Sequence, residues 1–110
     1  MKRAEFSRVI EESRRAEKSS LEFLRAPAMS LGVYRLPAGG ADPQQPHTED
    51  EVYYVVRGRA QFRAGNENCG VEPGTVLFVE ASVEHRFHSI EEDLELLVVF
   101  APAEGTRAGA

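Results

Sequence analysis

The stretch GGADPQQPHTEDEVYYVVRG, Gly39 to Gly58, decides how the rest of the chain is read. Its first half is turn-forming, and its second half, from Glu51 to Arg57, has the apolar, aromatic and β-branched texture of a strand. Pro46 pushes Gln45 toward an extended backbone, so Gln45 and His47 project to roughly the same side of the chain. Glu51 opens the strand and shares a face with Tyr53, Val55 and Arg57 rather than with Val52, Tyr54 and Val56. A carboxylate at the head of a mostly apolar strand, four residues after a histidine, is the first pointer to chemistry. Spacing alone favours the plainer reading, polar residues in solvent, because His, Gln and Glu are mostly exposed.

Outward from this stretch the same texture repeats. Short apolar or alternating runs are expected as strands at Leu21 to Arg25, Met29 to Leu36, Glu51 to Arg57, Arg59 to Arg63, Val76 to Glu80, Glu84 to His88 and Leu94 to Phe100. Pro37-Ala38-Gly39-Gly40, Gly58, Gly65-Asn66, Pro73-Gly74 and Glu91-Glu92-Asp93 punctuate them. The pattern is that of an all-β domain. Leu96 to Phe100 is apolar at both parities, so both faces of that strand need cover. Before the strands, Phe6, Val9 and Ile10 recur at helical spacing within the charged stretch Arg3 to Lys18, which predicts a short amphipathic helix. The resulting division is a helical appendage over residues 1–19, a β domain over 20–102, and a small, polar, flexible tail over 103–110.

The totals bound the function. The chain has 110 residues, 42% of them hydrophobic, which suffices for one modest core and not for two ordinary domains. No run approaches the roughly 20 apolar residues of a membrane span, and Met1-Lys2-Arg3 leads into no apolar segment, so no membrane association is expected. The net charge of −5 and scattered basic residues give no grip on phosphate backbones, which argues against nucleic acid as a partner. Cys69 is the single cysteine, so no intrachain disulfide or Cys-rich metal knuckle can form, and a reducing cytoplasm is expected.

Three histidines occur: His47, His85 and His88. His47 and His85 stand at strand edges near acidic residues. Two imidazoles and a carboxylate, with an amide oxygen nearby, form a mixed N/O donor set that suits Zn, Fe(II), Mn, Ni or Cu and leaves positions open. His88, three residues beyond His85, falls on the opposite strand face and reads as a surface or interface residue. Glu49 shares parity with His47 and Glu51 and is an alternative ligand. Tyr53 and Phe87, in parity with Glu51 and His85, are candidates for a pocket around the ion, although strand aromatics are more often plain core. Cys69 follows Asn66-Glu67-Asn68 in a turn with no base near it, and is read as an incidental thiol.

These residues resemble the two motifs of the cupin family. The first runs Gly, five residues, His, one residue, His, three or four residues, Glu, six residues, Gly. Gly39, His47, Glu51 and Gly58 match it, with Gln45 in place of the first His. The second runs Gly, five residues, Pro, one residue, Gly, two residues, His, three residues, Asn. Gly74 and His85 match it, while Glu80, Ser82 and Ser89 replace its Pro, Gly and Asn. The resemblance covers Gly39 to Ser89 and selects Glu51 over Glu49 by the six-residue count. It implies a double-stranded β-helix, a jelly-roll barrel, with one divalent metal ion in its lumen on His47, Glu51 and His85 and with Gln45 as fourth ligand. It also implies a homodimer and a small-molecule ligand or substrate. Dioxygenase- or isomerase-like chemistry is what the family offers; the alternatives are a non-catalytic binding or sensing barrel, or a structural dimer that has lost the metal.

Overall fold

A computed structural model describes residues 1–43 and 46–107. Helix α1 spans Phe6–Arg15, and the strands are β1 Ser20–Ala26, β2 Met29–Leu36, β3 Asp50–Ala64, β4 Glu67–Val71, β5 Val76–Val79 and β6 His85–Ala101. All pairings are antiparallel, in the order β1-β2-β6-β3-β4, with β5 also on β3. The all-β jelly-roll expectation holds.

The four runs expected around Gly58 and around Glu91-Glu92-Asp93 form two long strands. β3 and β6 pair from Asp50↔Ala101 to Ala64↔His85, with register irregularities between Val55 and Gln61. Those irregularities bend both strands, so that each contributes to two layers. One layer is β5, the first half of β3, the second half of β6, β2 and β1; the other is β4 with the remaining halves of β3 and β6. Gly58 makes the bend possible. Its φ is +99°, and a Cβ there would lie 2.3 Å from the Asp93 carbonyl oxygen, so glycine alone lets the two strands approach. The turn signals at Gly58 and Glu91 to Asp93 thus mark bends and not strand ends.

Between the layers, Leu36, Tyr53, Val55, Phe62, Phe87, Leu94, Leu96, Val98 and Phe100 form the main core. α1 lies outside the layers and buries Val9 and Ile10 against Val33, flanked by Phe6, Leu21 and Phe23. Its polar attachments are Arg14 Nη2 to Glu95 at 2.7 Å and Arg35 Nε to Ser13 Oγ at 2.6 Å. No helix among the described residues is long and apolar enough to cross a membrane.

Residues 103–107, placed by the sequence in a flexible tail, make specific contacts with the barrel. Ala103 is buried, Glu104 N–H donates to Ser30 Oγ at 2.9 Å, and the N–H groups of Gly105 and Arg107 donate to Glu49 at 2.7 and 3.0 Å. The reason is a buried carboxylate that needs donors, a demand that composition does not reveal. Residues 108–110 lie outside the described residues.

Candidate metal centre

The bend in β3 and β6 brings together residues distant in sequence. Glu51 is the second residue of β3 and points between the layers, where it is 1% exposed; His85 opens β6 and reaches the same space from the other layer. His85 Nε2 is 3.0 Å from Glu51 Oε1. His47, on the segment entering β3, sets its ring 5.6 Å from that of His85, and edge-on to Phe100 at 4.7 Å. The His47 carbonyl accepts the N–H of Ser82 at 2.6 Å. Ser82 has a φ of +67° and Ser89 of +49°, so both hold the left-handed backbone that Gly and Asn adopt most readily. These are the positions where serine replaces the Gly and Asn of the second motif.

One donor atom each from His47, Glu51 and His85 lies within 4.8 Å of the others, the single such group of His, Cys, Asp or Glu among the described residues. Gln45, the expected fourth ligand, lies outside the described residues. Tyr53, 0% exposed, places its hydroxyl 3.1 Å from His85 Nε2 and so faces the site. Phe87 packs on Tyr53 and Phe62 at 5.1 and 4.6 Å and belongs to the core beneath it.

The hydrogen bonds prepare His85 as a donor. Its Nδ1 lies 2.8 Å from the Val83 carbonyl, which can only accept, so the neutral ring carries its proton there and leaves the Nε2 lone pair facing inward. That lone pair faces a carboxylate oxygen at 3.0 Å, an approach tolerable only with a cation or proton between them. Neither Glu51 oxygen has a hydrogen-bond partner among the described residues, so without an ion the 3.0 Å contact is favourable only while His85 is protonated, as an ion pair. Burial is the largest influence on the His85 pKa and lowers it. Glu51, the Val83 carbonyl and Asp42 together outweigh burial and hold the pKa above its ordinary value.

Other acids surround the site with settled roles. Glu49, the alternative ligand, accepts from Gly105, Arg107 and the Thr48 hydroxyl. Burial alone would raise its pKa; these donors and His47 bring it below the usual range. Asp42, which the sequence reading passed over, takes the Tyr34 hydroxyl at 2.6 Å and the Phe87 N–H at 2.9 Å, tying the loop before His47 to β2 and β6. Burial and then Asp42 push the Tyr34 phenol well above its normal range. No spacing flagged Asp42, since its partners come from two distant strands. A cavity of about 230 Å³ opens onto the centre, lined among others by Tyr34, His47, Glu51, Phe100 and Glu104. His88 projects away and meets Asn68 Oδ1 at 2.6 Å, and Cys69 is exposed on β4.

The sequence profile described as Cupin domain matches residues 32–100. The chain belongs to the cupin family. This cupin is 54% identical to an uncharacterised Streptomyces coelicolor protein over 84 residues, 76% of this chain and 80% of that one. Among solved structures it is similar to TT1209 of Thermus thermophilus, with a TM-score of 0.73, 26% identity and coverage of 94% of this chain and 99% of the other. It is also similar to the DMSP lyase DddQ of Ruegeria pomeroyi, with a TM-score of 0.65 and 23% identity over 69% of this chain. The cupin spans 39% of that lyase's length, and the likeness is one of fold.

Proposed function

We propose that this cupin is a metalloprotein whose His47, Glu51 and His85 hold one divalent ion in the lumen, where it binds or transforms a small molecule. One observation carries the reading: the Glu51 carboxylate is 1% exposed, and neither oxygen has a hydrogen-bond partner among the described residues. A buried carboxylate whose oxygens lack hydrogen-bond partners is costly; its contact with His85 offsets that cost only while the ring is protonated, and a divalent cation held between the two offsets it whatever the ring's charge. Two imidazole nitrogens and one carboxylate oxygen suit Zn, Fe(II), Mn, Ni or Cu and leave coordination positions open toward the cavity. When bound, such an ion acts as a Lewis acid on a carbonyl or lowers the pKa of a coordinated water.

The chain's own residues orient and enclose. Val83 fixes the His85 tautomer, the Tyr53 hydroxyl stands beside His85 Nε2, and Phe100 braces the His47 ring. Open coordination positions facing a cavity make catalysis the reading to test first, and a ligand-binding barrel without turnover is its alternative. Elemental analysis of protein purified without a metal-affinity tag decides the first point. Near-stoichiometric metal, lost in the His47→Ala/His85→Ala double variant, supports the reading. Absence of metal after reconstitution contradicts it.

A homodimer belongs to the same proposal. Tyr54, Val76 and Phe78 are 43%, 63% and 62% exposed, and Tyr54↔Val76 and Val52↔Phe78 are cross-strand pairs on one outer face. Leu97 and Val99, half-buried, continue that face on β6. Asp50 and Glu80 flank one end of the patch, and at the other Arg57 pairs across the strands with Glu95. A second copy related by a twofold axis would cover this apolar face on both protomers. The exposed thiol of Cys69 suits a reducing cytoplasm.

A further inference from the structure

Residues 103–107, which follow β6 and Pro102, make specific attachments, and Glu104 among them lines the cavity. Ala103 is 2% exposed, the Glu104 N–H is held by Ser30 Oγ, and Arg25 Nη2 donates to the Glu104 carbonyl at 2.8 Å. Gly105 and Arg107 give their N–H groups to Glu49, itself 1% exposed. A buried carboxylate two residues from Glu51 is thus committed to the backbone of residues 105–107 rather than to an ion. Fixed in this way, the segment presents one side chain to the site. Glu104 lines the same cavity as His47 and Glu51, and its Oε2 is 3.4 Å from His47 Nδ1. The contact is an ion-pair approach, and a small closure together with a turn of the ring that aims Nδ1–H at the carboxylate would make it a hydrogen bond.

Resting on the metal reading above, we propose that Glu104 is the positioning residue of His47. Its carboxylate accepts the Nδ1–H, which fixes the tautomer and ring orientation and turns Nε2 to the ion. His85 has the equivalent support from the Val83 carbonyl. A histidine ligand is poorly directed unless its second nitrogen is engaged, and loss of such a partner typically lowers metal affinity about ten- to hundredfold. Glu49 acts at one further remove, as the clasp that keeps Glu104 in place.

The test uses the full chain as wild type, Glu104→Gln and Glu104→Ala, with two readouts. Nitrogen-15 NMR of the imidazoles in the metal-free protein, at a pH where they are neutral, reports the His47 tautomer. Competition titration with a chromophoric chelator reports Zn²⁺ affinity. Wild type is expected to carry the His47 proton on Nδ1 and Glu104→Ala to shift it toward Nε2, with Zn²⁺ affinity falling about ten- to hundredfold. Glu104→Gln, which keeps an acceptor oxygen, is expected to stay within a few fold of wild type. An unchanged tautomer and affinity in Glu104→Ala overturns the assignment. So does a Gln variant as weak as the Ala variant, which makes Glu104 a direct ligand. Failure of wild type to bind Zn²⁺ contradicts the metal reading instead, and the tautomer readout still decides the Glu104 contact.

Discussion

Replacing Glu51 by Gln is expected to change stability with opposite signs in the metal-free and the metal-loaded protein. The side chain keeps its size and loses its charge. In the metal-free protein, once His85 is neutral, Glu51 faces its Nε2 lone pair at 3.0 Å with neither oxygen hydrogen bonded among the described residues. Removing that charge relieves several kcal/mol, and the buried amide left behind costs about 1–3 kcal/mol of unmet hydrogen bonding. The expected net gain is about 1–2 kcal/mol, which for a domain of roughly 100 residues raises Tm by about 4–15 °C. In wild type, metal at 100 times its Kd adds about 2.7 kcal/mol by mass action. The variant, short of its anionic ligand, is expected to lose most of that increment. Scanning calorimetry at a pH where NMR shows the His85 ring neutral, which lies above the usual imidazole value because its pKa is raised, with chelator and then with Zn²⁺, reads both terms. A metal-free variant less stable than wild type, or one that keeps the full metal increment, refutes the reasoning.

Other expectations follow from the same geometry. The raised pKa of His85 means that its contribution to metal-free stability is complete below the unfolded value of ~6.5 and is lost as pH rises through the folded value. The metal-free Tm should therefore fall over that window, and Zn²⁺ affinity, which requires the neutral ring, should rise; a calorimetric pH series with a parallel titration checks both. Gly58→Ala places a methyl 2.3 Å from the Asp93 carbonyl oxygen at a φ of +99°, and is expected to cost more than about 3 kcal/mol in urea unfolding or to prevent folding. Phe78→Ser should shift the protein toward monomer in analytical ultracentrifugation without loss of bound metal, and an unchanged sedimentation coefficient argues against the β3–β5 face as the contact.

Much of the centre was legible because cupin motifs record geometry. Gly39, His47, Glu51 and Gly58 are spaced by a loop, a strand start and a bend, and the bend is where a side chain cannot fit. His85 was legible for the same reason, as the head of the strand that returns across β3. Less visible were features held by backbone groups. β4 is a largely polar edge strand, Glu67–Val71, with only Cys69 apolar before Val71, so it reads as a turn. The joining of four runs into β3 and β6 was hidden because Gly58 and Glu91 to Asp93 carry turn chemistry while serving as bends. The segment after β6 is small and polar, and only the buried Glu49 carboxylate explains why residues 103–107 pack. Glu49 was weighed as a ligand by parity, and parity cannot say which partner a carboxylate takes.

The most direct test of the metal centre is anomalous diffraction from crystals of untagged protein, recorded on both sides of the absorption edge of the element found by elemental analysis. A peak within about 2.0–2.2 Å of a nitrogen of His47, a nitrogen of His85 and an oxygen of Glu51 is the predicted result. A well-ordered site with no anomalous peak after metal reconstitution, or a peak coordinated elsewhere, contradicts it.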